Sequence, residues 1–563
     1  MTSLKYRRRP TSEVKVGTTA IGGTNPVRLQ SMASTSTMDT QASVEQCRRI
    51  IAAGAELVRF TAQGVREAQN LGEIRRQLRE SGITVPLVAD IHFNPRAAFA
   101  AAEIVEKVRI NPGNFVDPGR TFKKIEFTDE EYVAELQRLE ATLIPFIDKC
   151  RENGTAVRLG VNHGSLSDRI MSRYGDTPAG MVESAMEFLR VFRKEDFNDV
   201  VISIKASNVV VMVTTVLLLV KAMEREGMAF PLHLGVTEAG DGEDGRIKSA
   251  LGIGSLLALG IGDTIRVSLS EDPELELPVA RKIVDYIDDI ASAPAVESAI
   301  NRCFPLCCGR RRPTDPVGFV GGDHLPVVVG QSSSDSYGPD LRPDLFIYDN
   351  DGLFHEVEAS DILSGKVKPL EGKILLMTST HSNRSLEMAA ALEYMASAGL
   401  KNPVVVRADY HGFDEETVAV RASVELGSLF LSGLADGLMI VSDRMSAESA
   451  SRLAFAILQS ARLRFSKTEF ISCPGCGRTL FDLQSTLARV KNATSHLKGL
   501  KIGVMGCIVN GPGEMADADY GYVGAGIGRV SLYKGKECLE RNIPAEDAVD
   551  RLVALIKSCG DWK

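Results

Sequence analysis

Long apolar runs are missing from this chain of 563 residues. The longest, Val209 to Val220 (VVVMVTTVLLLV), stops at Lys221, well short of the ~20 residues that a membrane-spanning helix needs. It reads as a buried helix. Cysteine is scarce: 10 residues are too few for a disulfide scaffold at this length. Surplus basic charge is absent as well. The 65 Lys+Arg stand against 73 Asp+Glu, a formal net charge of -8, so no basic face is expected for sequence-independent binding to nucleic acid. The first residues, MTSLKYRRRPTSEV, are basic but no apolar stretch follows, which argues against a secretory signal. A cytoplasmic protein with reduced cysteines is the expectation.

What is present is a regular alternation. Apolar residues make up 44% and charged residues 25%, the balance of an ordinary globular protein. Over the first three hundred residues, short β-type runs (27–32, 55–60, 85–93, 108–114, 156–162, 200–207, 232–238 and 264–269) are separated by helical patterns such as REAQNLGEIRRQLRE. Eight strand–helix units in this length predict a (β/α)₈ barrel over residues 1–300. An open doubly wound sheet is the alternative, disfavoured because no Gly-rich dinucleotide fingerprint accompanies the units.

The polar residues of these runs gather at their carboxyl ends: Arg59, Asp90, His92, Arg109, Asn111, Arg158, Asn162, Lys205, Glu238, Arg266 and Ser268. Barrel active sites are built at that end. Any one strand-end cation is more often a salt-bridged structural residue. Five around one ring in a net acidic protein repel one another, an arrangement expected only where an anion binds. Arginine forks suit phosphate oxygens, so a small phosphorylated substrate is predicted.

From about Asn301 to Asp344, Gly, Pro, Ser and charge dominate, as in a linker or an irregular domain entry. Strand–helix alternation resumes with LFIYD, ILLMTS, PVVVRAD and GLMIVSD, which predicts an inserted α/β domain over 301–463 with a spacing role. The tail, 464–563, contains Cys473 and Cys476 as C-x2-C. Cys507 follows after 30 intervening residues, and Glu514 closes the sequence GCIVNGPGE. A lone C-x-x-C is shared by redox pairs and half zinc sites. A zinc ribbon needs a fourth thiolate or a His, and only Cys538 is near; three cysteines suit an iron–sulfur cluster with one iron left to another ligand. Cys47, Cys150, Cys538 and Cys559 read as ordinary thiols. Cys303, Cys307 and Cys308 are close in sequence but lack a partner motif.

Taken together, QSM (30–32) with Asp39, LVADIHF (87–93), RINPGN (109–114), SIKAS (203–207), HLGVTEAG (233–240), GIGDTIRVSL (260–269), CPGC (473–476) and GCIVNGPGE (506–514) resemble the bacterial and plastid 4-hydroxy-3-methylbut-2-enyl diphosphate synthases of the non-mevalonate isoprenoid pathway. The middle insertion resembles their three-domain form, and no transit peptide precedes it, which points to a bacterium. The resemblance implies reductive ring opening and dehydroxylation of 2-C-methyl-D-erythritol 2,4-cyclodiphosphate. It further implies a [4Fe–4S] cluster on Cys473, Cys476, Cys507 and Glu514, with the cyclic diphosphate held by Arg59, Arg109, Arg158, Asn162, Lys205, Arg266 and Ser268. Glu238 would be the proton donor, and Asn510 would steer the substrate oxygen. Flavodoxin or ferredoxin would deliver electrons, and barrel and tail would pair within one chain or across a homodimer. A non-redox, pterin-type barrel synthase with a zinc tail is the competing expectation. A radical enzyme using S-adenosylmethionine is disfavoured by the missing C-x3-C-x2-C.

Overall fold

The computed structural model describes residues 2–117, 126–298, 309–338, 341–349, 352–508, 511–515 and 517–562. These residues form two compact units. One comprises 1–8, 246–260 and 282–466, and the other 9–245, 261–281 and 467–563.

The second unit holds eight parallel strands: β1 (Arg28–Met32), β2 (Leu57–Ala62), β3 (Leu87–Ile91), β4 (Lys107–Ile110), β5 (Ala156–Asn162), β6 (Val200–Lys205), β7 (His233–Leu234) and β8 (Thr264–Ile265). They pair in the order β7-β8-β1-β2-β3-β4-β5-β6, and a parallel bridge from Ile202 to Leu232 nearly closes the ring. The expected (β/α)₈ barrel is therefore observed, with two differences. Strands β7 and β8 are only two residues long, and the end of the predicted fourth strand is a short helix, Pro112–Phe115. That helix begins at Asn111, whose side chain accepts from the Gly113 N–H; proline at the first helical position needs no donor there.

Local signals explain the helices. Thr128 and Glu131 form a reciprocal capping box that starts Asp129–Asn153, and Gly154 ends it in the left-handed region at φ 64°. The apolar run is the helix Val209–Arg225, capped by Asn208. It buries Val209, Met212, Val213, Val216, Leu219, Val220 and Met223, the three-and-four spacing of one helical face. No helix among the described residues is long and apolar enough to cross a membrane.

At the amino ends of the strands, a two-stranded hairpin (Val14–Val16 with Thr19–Ile21) inserts Val14, Val16 and Ile21 against Leu57, Val88, Ala156 and Val201. Each large apolar side chain fully buried contributes about 1.5–3 kcal/mol. The hairpin is an apolar plug at one end of the barrel.

The tail, in the same unit, is a five-stranded sheet in sequential order: β-strands Glu469–Ser472, Lys501–Met505, Tyr520–Gly526, Arg529–Lys534 and Glu537–Pro544. The first three are parallel and the last two antiparallel. The first unit holds a six-stranded, all-parallel sheet in which Val327–Gly330 lies second from one edge. That strand falls within the stretch expected to be linker, so part of 301–344 is sheet. Its VVVG core was masked by flanking Gly, Pro and Ser. Cys303, Cys307 and Cys308 lie outside the described residues.

Candidate active site

Side chains alternate along a strand, so every second residue of a barrel strand points inward. This places Arg59, Asp90, Arg109, Arg158, Asn162, Lys205, Glu238, Arg266 and Ser268, together with His92, around one cleft at the carboxyl ends. The cleft encloses about 660 Å³, part of it open to solvent, within the ~300–1,000 Å³ of small-ligand sites. All of these residues are buried. Of the strand-end residues named from the sequence, Asn111 is the one that does not line the cleft; it caps the short helix.

Arg109 is fixed by several partners. It donates to Asp90 Oδ1 at 3.3 Å, to the Gly160 carbonyl at 2.8 Å and to Asn162 Oδ1 at 3.0 Å. A Cβ at position 160 would lie 2.4 Å from Arg109 Nε, so the close crossing of guanidinium and strand requires glycine. His92 packs against the same guanidinium. Burial, then Arg109, lowers its pKa to about 3, so the imidazole is neutral and can accept from Arg109. Burial pushes the Asp90 carboxyl up, but Arg59, His92 and Arg109 outweigh it and hold the group well below the usual carboxylate range.

The remaining cations are less neutralised. Arg59 donates to the Met32 thioether at 3.0 and 2.7 Å, and burial brings its pKa down to about 10. Arg266 is paired with Glu276 at 3.1 Å. Arg158 and Lys205 form no ion pair among the described residues. Burial and then neighbouring cations push both well below their usual ranges. One layer deeper, Lys107 and His233 are fully buried and shifted the same way, first by burial and then by Arg158. The cleft wall counts six basic residues (Arg59, Arg109, Arg158, Lys205, Arg266, Arg478) against two acidic ones (Asp90, Glu238). Such an excess of like charge is unfavourable, and a bound polyanion would relieve it. Glu238 stands at its rim with φ 49°, a left-handed backbone unusual for a residue with a side chain.

The opposite wall is the tail. Cys473, Pro474, Gly475, Cys476, Thr479, Gly506 and Cys507 line the same cleft. The tail is docked on the barrel of its own chain. Ser270 Oγ meets Ser472 Oγ at 2.6 Å and donates to the Cys473 carbonyl at 2.9 Å, and Ala239 bridges to Ser472. Gly164 and Gly513 touch backbone to backbone, so closely that a Cβ on Gly164 would lie 2.1 Å from the Gly513 carbonyl oxygen. Closure within one chain, which the sequence left open, is what the structure has.

The cysteine loops suit an iron–sulfur group. Gly506 N–H donates to Cys473 Sγ at 3.2 Å, and the Cys476 N–H is tied to Thr479 Oγ1 at 3.0 Å. Gly475, at φ 76°, turns the loop between the two thiols. Burial pushes the Cys473 thiol up. Glu514 ends the short helix Gly511–Glu514, but its side chain, like the whole of Asn510, lies outside the described residues.

The sequence profile of the GcpE TIM-barrel domain matches residues 11–281, and that of the GcpE protein C-terminal domain matches 469–558. The chain belongs to the GcpE family. Among curated GcpE relatives named 4-hydroxy-3-methylbut-2-en-1-yl diphosphate synthase (flavodoxin), that of Parabacteroides distasonis is 54% identical over 100% of both chains. That of Chlorobaculum tepidum is 43% identical over 99% of this chain and 90% of its own, and that of Protochlamydia amoebophila 41% over 99% and 97%. A Yersinia pestis dihydropteroate synthase structure covers 49% of this chain and 98% of its own at 10% identity and a TM-score of 0.33, too slight a likeness to bear on function.

Sequence reading missed Met32 as the partner of Arg59, and it assigned no role to Lys107, His233 or Arg478. Lys107 could have been found, because it lies two residues before Arg109 on the inward face. Arg478 carries a weaker signal, a cation two residues after the C-x2-C.

Proposed function

We propose that this GcpE-family chain is a 4-hydroxy-3-methylbut-2-en-1-yl diphosphate synthase that reduces 2-C-methyl-D-erythritol 2,4-cyclodiphosphate. The observation that supports this most is the sharing of one cleft by six cations and three thiols. In the overall reaction the ring C–O bond to phosphate breaks, the neighbouring hydroxyl leaves as water with one proton, and two electrons complete the new C=C bond. Cys473, Cys476, Cys507 and Glu514 would hold the cofactor, a [4Fe–4S] cluster, which would supply those electrons one at a time.

The chain's own residues do the rest. Arg59, Arg158, Lys205 and Arg266, with Ser268, bind the diphosphate, and they stabilise the anionic oxygen set free when the ring opens. Arg109 and Asn162 are held in fixed orientation and position the carbon skeleton. Glu238 hands a proton to the departing hydroxyl, and Asn510 steers the substrate oxygen. The tail's fit over the barrel excludes water, which strengthens each phosphate contact. We further propose three parts, a barrel (1–300), an inserted spacer (301–463) and a cluster domain (464–563), with flavodoxin as electron donor in preference to ferredoxin. Both walls of the cleft come from one chain, so the reading requires no homodimer.

The test is an anaerobic assay with the cyclodiphosphate, comparing flavodoxin, ferredoxin and a chemical reductant, alongside iron and sulfide analysis. Turnover with bound iron and sulfide is expected. Stoichiometric zinc and no turnover would overturn the proposal.

A further inference from the structure

We infer that Arg478 is a positioning residue that bridges the cysteine loop to the barrel mouth and sets the charge around the cysteine sulfurs. The inference rests on the functional reading above, because it assigns a role within the same cleft.

Arg478 is the one cation that the tail contributes to the cleft wall among the described residues. It follows Cys476 by two residues on the same tight loop, yet its side chain is buried, with 7% exposure. Its Nη2 reaches across to Asp90 Oδ2 at 3.4 Å, an ion pair between tail and barrel. On its other side the guanidinium faces the sulfurs of Cys476 and Cys507. The Nε and Nη1 atoms, which carry three N–H groups between them, are buried without a hydrogen-bond partner among the described residues. An arginine fork is fitted to this because its donors diverge in one plane, whereas a lysine offers one point of charge.

The neighbouring loop geometry fixes where the fork goes. Gly477 sits so close to Thr35 and Thr61 that a Cβ would lie 2.7 Å from the Thr35 carbonyl oxygen and 2.8 Å from Thr61 Oγ1. The residue after it is thereby delivered into the barrel mouth. Asp90 is itself held by Arg109, so the arginine of the tail and that of the barrel share one carboxylate. Position on the tail is in this way transmitted to the residues that orient the substrate. A fixed positive charge beside sulfur ligands favours the more reduced, more negative state of an iron–sulfur group.

Three measurements on the anaerobically purified holoenzyme test the inference: iron content, midpoint potential by spectroscopic redox titration without substrate, and steady-state kinetics. For Arg478→Gln we expect full iron, a potential shifted to more negative values, and kcat lowered about 10²-fold with KM within about threefold. Arg478→Lys retains the charge but not the fork, so the potential stays near that of the parent while kcat falls. An unchanged potential in Arg478→Gln overturns the inference. Loss of iron from both variants overturns it too, since Arg478 would then serve only to hold the cluster loop together. If the parent itself fails to turn over the cyclodiphosphate, the functional reading fails, while the potentials of parent and variants still decide the role of Arg478.

Discussion

The barrel and the middle sheet are built by one rule and differ in how they treat charge. Both are parallel sheets of alternating strands and helices, with polar residues near the carboxyl ends of the strands. Around the middle sheet the charges are paired, on a strand, between helices and before a strand alike. Arg407 meets Asp409 at 2.9 Å, Arg384 meets Glu425 at 3.1 Å, and the buried Arg312 meets Asp436 at 3.0 Å. In the barrel, Arg158 and Lys205 are buried in a crowd of like charges with no carboxylate in ion-pair range among the described residues. The fold accounts for the strand ends; only the uncompensated charge marks a site. The barrel accepts an unfavourable charge arrangement that a bound anion relieves, whereas the middle sheet has already satisfied its own.

The largest effect should come from the wall the middle sheet lacks. Cys473→Ser, Cys476→Ser and Cys507→Ser should each lose iron and activity while circular dichroism stays that of the parent. Cys47→Ser and Cys150→Ser, in barrel helices, should keep both. Full iron and normal turnover in any of the first three would remove that residue from the ligand set. Next in size, Glu238→Ala should keep its iron and lose about 10²–10⁴ in rate, as for a lost general acid, whereas Glu514→Ala should lose iron. If Glu238→Ala arrives without iron, the division of labour between the two carboxylates is wrong.

A matched pair of substitutions separates the two sheets. Lys205→Met should cut kcat/KM by about 10²-fold or more and yet raise the unliganded Tm, because it removes a buried, unpaired cation. Arg407→Met in the middle sheet should leave kcat/KM unchanged and shift stability by no more than ~0.5 kcal/mol. Equal losses of activity from the two would erase the distinction drawn here.

The smallest effect is on pH. The folded pKa of His92 is lowered to about 3, and that of an unfolded histidine is near ~6.5. Between these values the unfolded chain binds a proton that the folded one does not, so stability falls as pH falls through that window. His233, also pushed down, acts in the same direction. Denaturation midpoints at pH 7 and 5.5 should show a smaller drop for His92→Gln than for the parent.

The barrel was legible because strand–helix alternation is a strong periodic signal and because charge at strand ends is visible one residue at a time. The observed cleft contains every strand-end cation predicted for it. The tail was legible at its cysteines but not in its antiparallel half. YGYVGAG and ECLERNIP mix glycine and charge in ways that blur the alternation of a half-exposed strand. Contacts between distant segments were not legible at all. Met32 under Arg59 and Asp90 across from Arg478 depend on which loops the fold brings together.

The hairpin plug makes the barrel a blind vessel. With Val14, Val16 and Ile21 packed against Leu57, Val88, Ala156 and Val201, one end of the barrel is closed, and the tail is docked at the other. Substrate entry and the release of a product carrying one more negative charge then share the end where the tail is docked. A tail held more tightly over that end would exclude water better and slow the exit of what the chemistry makes.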